Sequence, residues 1–302
     1  MKIGITGGSG FIGSYLSRAI AERGDEAIIF SRKTFLPGHL RNIKGITLIT
    51  SQIPQSEDLE KLDILINLSG ESVVGGRWSD ARKALLRFSR VDYTKELLNQ
   101  LKNSSKKPQV FISGSAIGYY GMYEDGSNAF FEDSSPGNDF LAKLCVDWEA
   151  ESLIADKLGI RTCILRTGIV LSPEAGALAQ MIPPFKAFVG GALGSGKQYM
   201  SWIHIRDTIN AILFLIDHEK CSGVFNIVSP KPLSNEDFSK ELADALGRPC
   251  FMKVPGFALE LIYGEGADVI LKGQKVYPKR LEEMGFQFLF PELSTCLKDL
   301  LN

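Results

Sequence analysis

The chain has 302 residues, of which 44% are hydrophobic and 23% are charged, and its formal net charge is −1. This composition is typical of a globular protein, and the length suits one large α/β domain or a main domain with a smaller one. The near-neutral charge argues against binding to nucleic acid or to an anionic membrane surface, and no apolar run is long enough to span a bilayer.

Cysteine usage argues against a metal site and against a disulfide framework. The five cysteines are scattered singly, without a C-x-x-C pair, at Cys145, Cys163, Cys221, Cys250 and Cys296. Isolated cysteines are most simply small buried hydrophobic residues in a reducing compartment. The first predicted strand begins at Lys2, which leaves no room for a signal peptide ahead of it. We therefore expect a cytoplasmic protein without a resident metal.

Strand-like and helix-like segments alternate over the first 172 residues. The predicted strands are "KIGIT", "EAIIFS", "ITLIT", "DILINLS", "QVFISGS" and "TCILRTGIVL". Between most of them lie helical patterns such as "FIGSYLSRAIAERG" and "DARKALLRFSRVDYTKELLNQL". Several strands are apolar throughout, as expected when both faces of a parallel sheet are covered. This alternation predicts an α/β fold with a doubly wound parallel sheet.

The pattern changes after about residue 172. "GGALGSGKQYM" is a Gly-rich loop, and "SNEDFSKELADALG" predicts a helix that Ser234 caps and Gly247 ends. The remaining tail is predicted to be helical with one short strand, "FQFLF". We therefore expect a large domain over residues 1–172 and a smaller, mixed α+β C-terminal lobe over residues 173–302, with part of 200–230 returning to the sheet.

A Gly-rich turn, "GGSGFIG", follows the first strand. Gly7 allows the tight turn, Gly10 lets the backbone approach a pyrophosphate, and Gly13 lets the helix pack close to the sheet. The start of this helix offers free N–H groups and the positive end of its dipole to phosphates. Because the motif joins a strand to a helix inside a βαβ pattern, it predicts dinucleotide binding. The expected contacts are Gly7, Ser9, Gly10, Phe11, Ile12 and Gly13.

The end of the second strand bears on the choice between NAD and NADP. NAD-binding proteins usually place Asp or Glu there to hold the ribose 2′-hydroxyl, whereas "IIFSRKT" has no acid. An arginine at this point pairs with a 2′-phosphate, and a solvated basic turn is the alternative. We expect NADP (NADPH), with Ser31 and Arg32 among its contacts.

The segments "GGSGFIG", "NLSG", "FISGSAIGYYG" and "LRTGIVLS" together resemble the short-chain dehydrogenase/reductase superfamily, in its extended, epimerase-like branch. The resemblance implies a Rossmann-type domain that binds NAD(P). It places further cofactor contacts within these segments, at Leu68, Ser69, Gly70, Ser113, Gly168 and Val170.

A more specific resemblance covers nearly the whole chain. "GESVVGGRW", "FLAKLCVDWE", "GGALGSGKQYMSWIHIRD" and "GEGADVILKGQKVYPKRLEEMGFQF" resemble an atypical group of this branch that ends in a short C-terminal domain of unknown function. The resemblance implies a family-specific tail over about residues 250–298 and a lobe that closes over a cleft. It implies no settled substrate for the group.

The catalytic pair of the superfamily is missing. Its members use a Tyr and a Lys four residues apart on a helix, together with a Ser on the preceding strand. Alignment of the helix through Glu149 puts Leu141 at the Tyr position and Cys145 at the Lys position. A register that keeps Lys143 as the Lys puts Asp139 at the Tyr position, which supplies no phenol either. The resemblance itself implies this loss, since Cys at that position is typical of the atypical group.

Other residues remain as catalytic candidates. Ser115 in "GSAIGYYG" is the best match for the catalytic Ser, and Tyr120 offers a phenol near the cleft. Cys145 has two interpretations, a nucleophile or acid with a lowered pKa, and a small side chain packed against the nicotinamide. The neighbouring acids Asp147 and Glu149 argue against strong activation of this thiol.

A helical face carries three cations. Lys83, Arg87, Arg90 and Thr94 share one side of a predicted helix by their spacing. The face indicates either an anionic substrate or a solvated basic surface, and the second interpretation is favoured for Lys83 and Arg87. Arg90 falls where the extended branch has a structural Asn, so the resemblance implies a role in the cleft, toward an anion or the cofactor.

The predicted substrate lobe lacks an expected arginine. In nucleotide-sugar epimerases the segment after the Gly-rich turn supplies an Arg for the substrate diphosphate, and that position falls on Met200. Tyr199, Met200 and Trp202 instead offer apolar surface, with Lys197 and His204 as polar groups. The alternative for this segment is a buried structural strand. As a pocket wall, it suits a partly apolar small molecule.

Two functions from different classes follow. The first is an NADP(H)-dependent oxidoreductase or epimerase-like enzyme that acts on an unidentified, anionic small molecule. The second is a non-catalytic NADP(H) sensor or regulator, which the missing Tyr and Lys favour. Relatives of the group in plastids and cyanobacteria are associated with division, which suits the second. The expected state is a monomer or homodimer, without nucleic-acid or membrane partners.

Overall fold

The computed structural model describes residues 1–301, so that Asn302, the last residue of the predicted lobe, lies outside it. The strands are β1 (Lys2–Thr6), β2 (Glu26–Ser31), β3 (Ile46–Thr50), β4 (Ile64–Asn67), β5 (Val110–Ala116), β6 (Ala129–Phe130), β7 (Arg161–Thr167), β8 (Ile169–Leu171), β9 (Gly191–Leu193), β10 (Tyr199–Met200), β11 (Trp202–His204), β12 (Gly223–Ile227), β13 (Leu233–Ser234), β14 (Met252–Val254) and β15 (Lys275–Val276).

The helices are α1 (Phe11–Glu22), α2 (Ser56–Leu59), α3 (Asp80–Arg87), α4 (Tyr93–Asn103), α5 (Phe140–Ser152), α6 (Ile154–Lys157), α7 (Gly176–Lys186), α8 (Ile205–Asp217), α9 (Asn235–Leu246), α10 (Gly256–Tyr263), α11 (Asp268–Leu271), α12 (Lys279–Glu283) and α13 (Leu293–Leu301). A π-helical turn, Phe88–Asp92, joins α3 to α4. Single 3₁₀ turns lie at Gly38–Leu40, Ile117–Tyr120 and Gly264–Ala267. No helix within residues 1–301 is both long enough and apolar enough to cross a bilayer.

Seven parallel strands form the main sheet, in the order β12-β7-β5-β4-β1-β2-β3. The predicted doubly wound α/β fold is therefore confirmed. The central strand β4 is buried along its whole length, which explains why its sequence is apolar rather than alternating. The strand order reverses between β1 and β4, and ligands of such sheets bind outside the carboxyl ends of the strands at this point.

Helices cover both faces of the main sheet. Leu16 and Ile20 of α1 share one core with Ile212 and Leu215 of α8. On the opposite face, Leu97 and Leu101 of α4 pack with Leu59 and Ala155 in a second core. The three layers hold the loops at the carboxyl edge of the sheet on a rigid support.

The C-terminal lobe has a core of its own, in which α7, α9 and α13 enclose Trp202, Phe238 and Leu297. The predicted helix over "SNEDFSKELADALG" is confirmed: the Ser234 hydroxyl accepts from the Asp237 amide at 3.1 Å, and Gly247 ends the helix with a φ of 61°. Within residues 1–301, four two-stranded pairs lie outside the main sheet: β6 with β15, β8 with β11, β9 with β14, and β10 with β13.

The strand predicted at "FQFLF" (residues 286–290) is wrong, because these residues lie between α12 and α13 without strand pairing. The Phe286 amide donates to the Leu281 carbonyl at 3.0 Å. The Leu289 and Phe290 amides donate to the two carboxylate oxygens of Asp207, each at 2.9 Å. A buried side chain therefore satisfies amides that a neighbouring strand satisfies in a sheet.

Asp207 ties the C-terminal segment to α8, so we expect Asp207→Ala to lower the free energy of unfolding by about 3 kcal/mol, since two amides lose their acceptor in a buried place. Urea unfolding followed by circular dichroism measures this. Asp217→Ala, at the exposed end of the same helix, is the matched control and changes stability by less than about 1 kcal/mol. Equal losses in the two variants would contradict the role given to Asp207.

Candidate functional site

The turn after β1 lies against the loop after β4 at the point where the strand order reverses. Gly7 has a φ of +72°, and a Cβ built there lies 2.6 Å from the Leu68 carbonyl oxygen. The Leu68 amide donates to the Thr6 carbonyl at 3.0 Å, which continues the pairing of the two strands into their loops. Only glycine fits this close approach and this backbone conformation.

The start of α1 forms a cradle of free amides. The Gly10 amide donates to the Gly7 carbonyl at 2.9 Å, and a Cβ at Gly13 lies only 2.2 Å from the same oxygen. No side chain caps the helix, and its first turn contains no acid. The first amides of an α-helix have no partner inside it, so those of Phe11 and Ile12 remain available to an anion.

Basic and hydroxyl side chains follow β2 beside this cradle. The Ser9 and Ser31 hydroxyl oxygens lie 3.4 Å apart, and Ser31 also accepts from the Lys33 amide at 3.1 Å. Arg32 is exposed. Tyr93 at the start of α4 reaches the same edge: burial raises the pKa of its phenol, and its hydrogen bonds with Ser69 and Thr6 and the nearby charge of Arg32 oppose this shift. The sequence analysis missed Tyr93.

The remaining cofactor candidates divide into loop residues and buried residues. The Ser69 amide donates to Asn67 Oδ1 at 3.3 Å, and a Cβ at Gly70 lies 3.2 Å from the guanidinium carbon of Arg90. A Cβ at Gly168 lies 2.3 Å from the Ser201 carbonyl oxygen, so this position also requires glycine.

Two of the predicted cofactor contacts, Ser113 and Val170, have buried side chains. Ser113 is fully buried, and its hydroxyl lies 2.8 Å from the Ser152 hydroxyl on α5. Val170 is buried in β8, where it pairs with Ile203 of β11. Both side chains belong to the packing between layers, so only their main chains remain as contacts.

Arg90 lies under the loop after β4. Its guanidinium donates to the Glu71 carbonyl at 2.7 Å and, more weakly, to the Leu86 carbonyl and the Ser89 hydroxyl, each at 3.4 Å. Its guanidinium carbon lies 5.4 Å from the centroid of the Trp148 ring. Burial lowers the pKa of Arg90. Within residues 1–301, no carboxylate forms an ion pair with this cation.

The other cations of the predicted basic face have partners. Lys83 pairs with both carboxylate oxygens of Glu265, at 2.8 and 2.6 Å, and Arg87 pairs with Asp147. Thr94 is buried, and its hydroxyl oxygen accepts a hydrogen bond from the side-chain Nδ2 of Asn67 at 2.9 Å. The π-helical turn rotates α4 relative to α3, so the four residues do not present one common face to the cleft.

A buried array of hydrogen bonds holds Ser115 at the carboxyl end of β5. The Ser115 hydroxyl donates to Glu149 Oε1 at 2.6 Å. Arg166 of β7 donates to the same carboxylate through Nε and Nη2, at 2.8 Å each. Burial alone would lower the pKa of Arg166. Its hydrogen bonds and ion pair with Glu149 raise that pKa by more than burial lowers it, so the net shift is upward. The array fixes the Ser115 hydroxyl in one direction.

Sequence reasoning missed both charged members of this array. Arg166 stands in the otherwise apolar run "TCILRTGIVL", and a charge inside a buried strand signals a buried partner. Glu149 lies four residues after Cys145 on α5, on the helix side that carries the superfamily's catalytic pair. These two signals were available in the sequence.

Tyr120 does not offer a phenol to the cleft, which corrects its prediction as a catalytic group. Its side chain is fully buried, its hydroxyl donates to Asn226 Oδ1 at 2.6 Å, and it accepts from Arg166 Nη1 at 3.0 Å. Burial raises its pKa to about 12. The phenol therefore ties the turn after β5 to β7 and β12 of the main sheet.

Cys145 is a packed, neutral thiol, which corrects its prediction as a nucleophile. It is buried, and burial together with the charge of Glu149 raises its pKa to about 12. Leu141, at the Tyr position, is also buried and packs in a cluster with Leu144 and Trp148 of α5. The face of α5 that carries the catalytic pair elsewhere in the superfamily is a packing surface in this chain.

Of the three substrate candidates, Met200 and Trp202 lie in the core of the lobe, which agrees with the alternative of a buried structural strand. Trp202 is fully buried and donates its indole N–H to the Lys231 carbonyl at 3.0 Å, and Met200 is buried beside Asn235. His204, the polar neighbour, is buried too, and burial lowers its pKa to about 4.

Tyr199 alone of the three is partly exposed. It lines an open cleft of about 350 Å³ with Asp125, Gly126, Ser127, Gly196, Lys197, Ser234 and Glu236. Its ring covers Gly126, and the Lys275 ammonium lies 4.9 Å from the ring centroid. This cleft is polar, which differs from the apolar wall that the sequence predicted.

Comparisons with known proteins agree with this geometry. Residues 3–228 match the model of the NAD dependent epimerase/dehydratase family, and residues 254–300 match a domain of unknown function, DUF1731. The chain is 35% identical to the chloroplastic epimerase family protein SDR39U1 homolog of Arabidopsis thaliana, over all of this chain and 87% of the relative. It is 33% identical to the epimerase family protein YfhF of Bacillus subtilis, over all of this chain and 98% of the relative.

A solved structure also matches over almost the full length. The human epimerase family protein SDR39U1, crystallised with NADPH, has a TM-score of 0.86 and 29% identity, and the match covers 99% of each chain. The switch-point cradle, the matched family model and these relatives lead to one conclusion: the chain belongs to the NAD dependent epimerase/dehydratase family.

Proposed function

We propose that the protein is an NADP(H)-dependent oxidoreductase or epimerase-like enzyme that acts on a small molecule. The observation that carries the proposal is the hydrogen bond from Ser115 to Glu149, at 2.6 Å. It keeps a polar group oriented at the end of β5, where the superfamily has its catalytic Ser, although the Tyr and Lys are absent. The binding half of the proposal rests on the cradle at the start of α1.

The residues of the cradle fit NADP(H). The free amides of Phe11 and Ile12 would hold the pyrophosphate, and Arg32 would pair with the 2′-phosphate. The closeness of Gly7 and Gly13 to neighbouring main-chain atoms supports the fit, because a Cβ at either position would collide with the main chain that forms the cradle. The human relative was crystallised with NADPH. When bound, this cofactor supplies or accepts a hydride.

Ser115 contributes a hydrogen-bond acceptor rather than a donor. A serine hydroxyl has one proton, and this proton is donated to Glu149. Ser115 is buried beside the Cys145 thiol, which also bonds to it, so one lone pair of Ser115 Oγ remains for a hydroxyl group of the substrate. Because the Glu149 carboxylate is itself held by two N–H groups of Arg166, the Ser115 hydroxyl keeps this direction when a ligand enters.

Arg90 supports an anionic substrate or an additional phosphate contact. Its guanidinium donates to main-chain and hydroxyl oxygens, which leave its charge uncompensated, and it is half-buried under the loop after β4. A half-buried cation without an ion-pair partner attracts an anion, because little water screens it, although the nearby charges of Glu71 and Arg82 also act on Arg90. This observation supports an acidic group on the substrate.

The second candidate function is a non-catalytic NADP(H) sensor or regulator, which suits a link to cell division. It is favoured by the burial of Tyr120 and Cys145, which removes two acid–base candidates from the cleft. In this function, the bound cofactor changes the shape of the cleft, and a protein partner binds to only one of the two shapes. Tight cofactor binding with no substrate turnover is its signature.

Arg32→Asp separates the two nicotinamide cofactors. We expect NADPH affinity to fall about 30-fold, since a charge-assisted hydrogen bond to the 2′-phosphate is lost, while NADH affinity changes less than about twofold. Fluorescence titration with each cofactor measures the two dissociation constants. Lys33→Asp, an equal charge change at the next exposed position, is the control. Equal loss of NADPH and NADH in the Arg32 variant would exclude the 2′-phosphate role.

Ser115→Ala separates the enzyme from the sensor. We expect the variant to bind NADPH within about threefold of the wild type, because it retains the cradle. In cells that lack the gene, wild-type protein should restore the metabolite profile, whereas Ser115→Ala should leave the substrate accumulated. Gly10→Asp places a carboxylate in the cradle, so this variant should not bind the cofactor, and it serves as the negative control. Full restoration by Ser115→Ala would favour the sensor.

Cys145 should be unreactive in the folded protein. With a pKa of about 12, its thiol carries almost no thiolate at pH 8, so iodoacetamide should modify it only after unfolding. Cys250, which is partly exposed, should react in the folded state and serves as the internal control. Peptide mass spectrometry after timed labelling measures both. Modification of Cys145 as fast as Cys250 in the folded protein would restore it as a catalytic candidate.

A further inference from the structure

A single turn after β5, Ile117–Tyr120, lies on the face of α5 that carries the catalytic pair elsewhere in the superfamily. A Cβ built at Gly118 lies 3.4 Å from the Cβ of Leu141, at the Tyr position, and 4.0 Å from the Sγ of Cys145, at the Lys position. The main chain of the turn therefore packs directly against both positions. The residue that follows Gly118 stands next to the place of the missing Tyr, although it comes from the end of β5 rather than from α5.

The turn contains two adjacent tyrosines with opposite surroundings. Tyr120 is fully buried, and its hydroxyl is bonded to Asn226 and Arg166. Tyr119 is partly exposed, and within residues 1–301 its hydroxyl has no hydrogen-bond partner and is not closed off from solvent. Of the two phenols, Tyr119 is therefore the one that a ligand can reach.

Two contacts hold Tyr119 in place. Its ring lies over the guanidinium of Arg166, whose central carbon is 3.3 Å from the ring centroid. Its carbonyl accepts a hydrogen bond from the Gly137 amide at 2.9 Å. Arg166 is itself fixed by its buried ion pair with Glu149. The ion pair that orients Ser115 thus also supports the Tyr119 ring, and a group supported in this way meets the requirement of a preorganised site.

The polar groups at the carboxyl end of β5 otherwise offer a substrate an acceptor rather than a donor. Ser115 gives its only proton to Glu149. The Cys145 thiol bonds to Ser115 and is a weak donor, and Leu141 has no polar atom in its side chain. A carbonyl oxygen gains negative charge as its carbon takes a hydride, and a donor aimed at that oxygen stabilises this charge. A reduction at this place therefore requires a further donor.

We propose that Tyr119 is the catalytic hydrogen-bond donor of this site, and that its hydroxyl donates to the oxygen at the reacting carbon of the substrate. The inference rests on the proposed enzyme function and names its substrate class. Because Ser115 accepts from a hydroxyl group while Tyr119 donates to a carbonyl oxygen, the two residues together select a small carbonyl compound that also carries a hydroxyl group.

Chemical labelling of the wild-type protein tests where the phenol lies. N-Acetylimidazole acetylates accessible tyrosine hydroxyls, so Tyr119 should react in the free protein. Saturating NADP⁺ should slow this reaction at least about fivefold, because a donor to the reacting carbon lies beside the nicotinamide and the bound cofactor covers it. Tyr199, which lines the open polar cleft, should react equally with and without NADP⁺, and buried Tyr120 should stay unmodified. Peptide mass spectrometry measures each rate.

Tyr119→Phe tests the donor itself. The variant loses only the hydroxyl and keeps its ring on Arg166, so it should fold like the wild type and bind NADPH within about twofold. In cells that lack the gene, it should leave accumulated the same metabolite that Ser115→Ala leaves, because loss of such a donor lowers turnover about 100-fold. Tyr123→Phe, whose hydroxyl donates to the Tyr120 carbonyl at 3.2 Å, is the matched control and should restore the profile.

The outcomes separate this proposal from the proposed function. Restoration of the metabolite profile by Tyr119→Phe but not by Ser115→Ala would overturn the role of Tyr119 and leave the enzyme function standing. Restoration by both variants would overturn both. Labelling of Tyr119 that NADP⁺ slows no more than labelling of Tyr199 would also overturn the role of Tyr119, and this result needs no variant to fold.

Discussion

The buried ion pair between Glu149 and Arg166 determines how the side chains at the carboxyl end of β5 are arranged. Both side chains are almost fully buried, and two charges removed from water stabilise a fold only when every donor and acceptor is satisfied. The pair meets this condition through Ser115, Tyr120 and the Glu132 carbonyl, which occupy the remaining positions around it. Loss of either charge would cost about 3–5 kcal/mol, because the other charge would remain buried alone. Ser115 and Tyr120 therefore owe their orientations to one contact between α5 and β7.

This contact also explains how α5 can lack the usual catalytic residues without collapse of the cleft. Leu141 and Cys145 replace polar groups, and they need apolar neighbours. Met122 and Val269 pack on the cluster that contains Leu141, and Val269 belongs to the family-specific tail. Val269, in the segment that matches DUF1731, thus contributes to the apolar cluster that contains Leu141.

The sequence predicted what depends on local rules. The Gly-rich turn could be predicted because Gly13 fits against the Gly7 carbonyl, which is a main-chain contact within the same turn. The "FQFLF" segment was misread because its amides bond to Asp207, which lies about 80 residues earlier in the chain. For Trp202 and Met200 the sequence left two interpretations open, a pocket wall and a buried strand, since their burial depends on α9 and α13, which follow them. Burial that depends on distant elements leaves no periodic signal in a short strand.

The tail has opposite surroundings on its two sides. On the inner side, Arg77 donates to the Leu261 carbonyl at 2.5 Å, and Gly266 packs on Trp78. On the outer side, Phe257, Leu261 and Ile262 of α10 are exposed. A helix of eight residues is marginal by itself, so contacts such as the one from Arg77 must hold α10 in place.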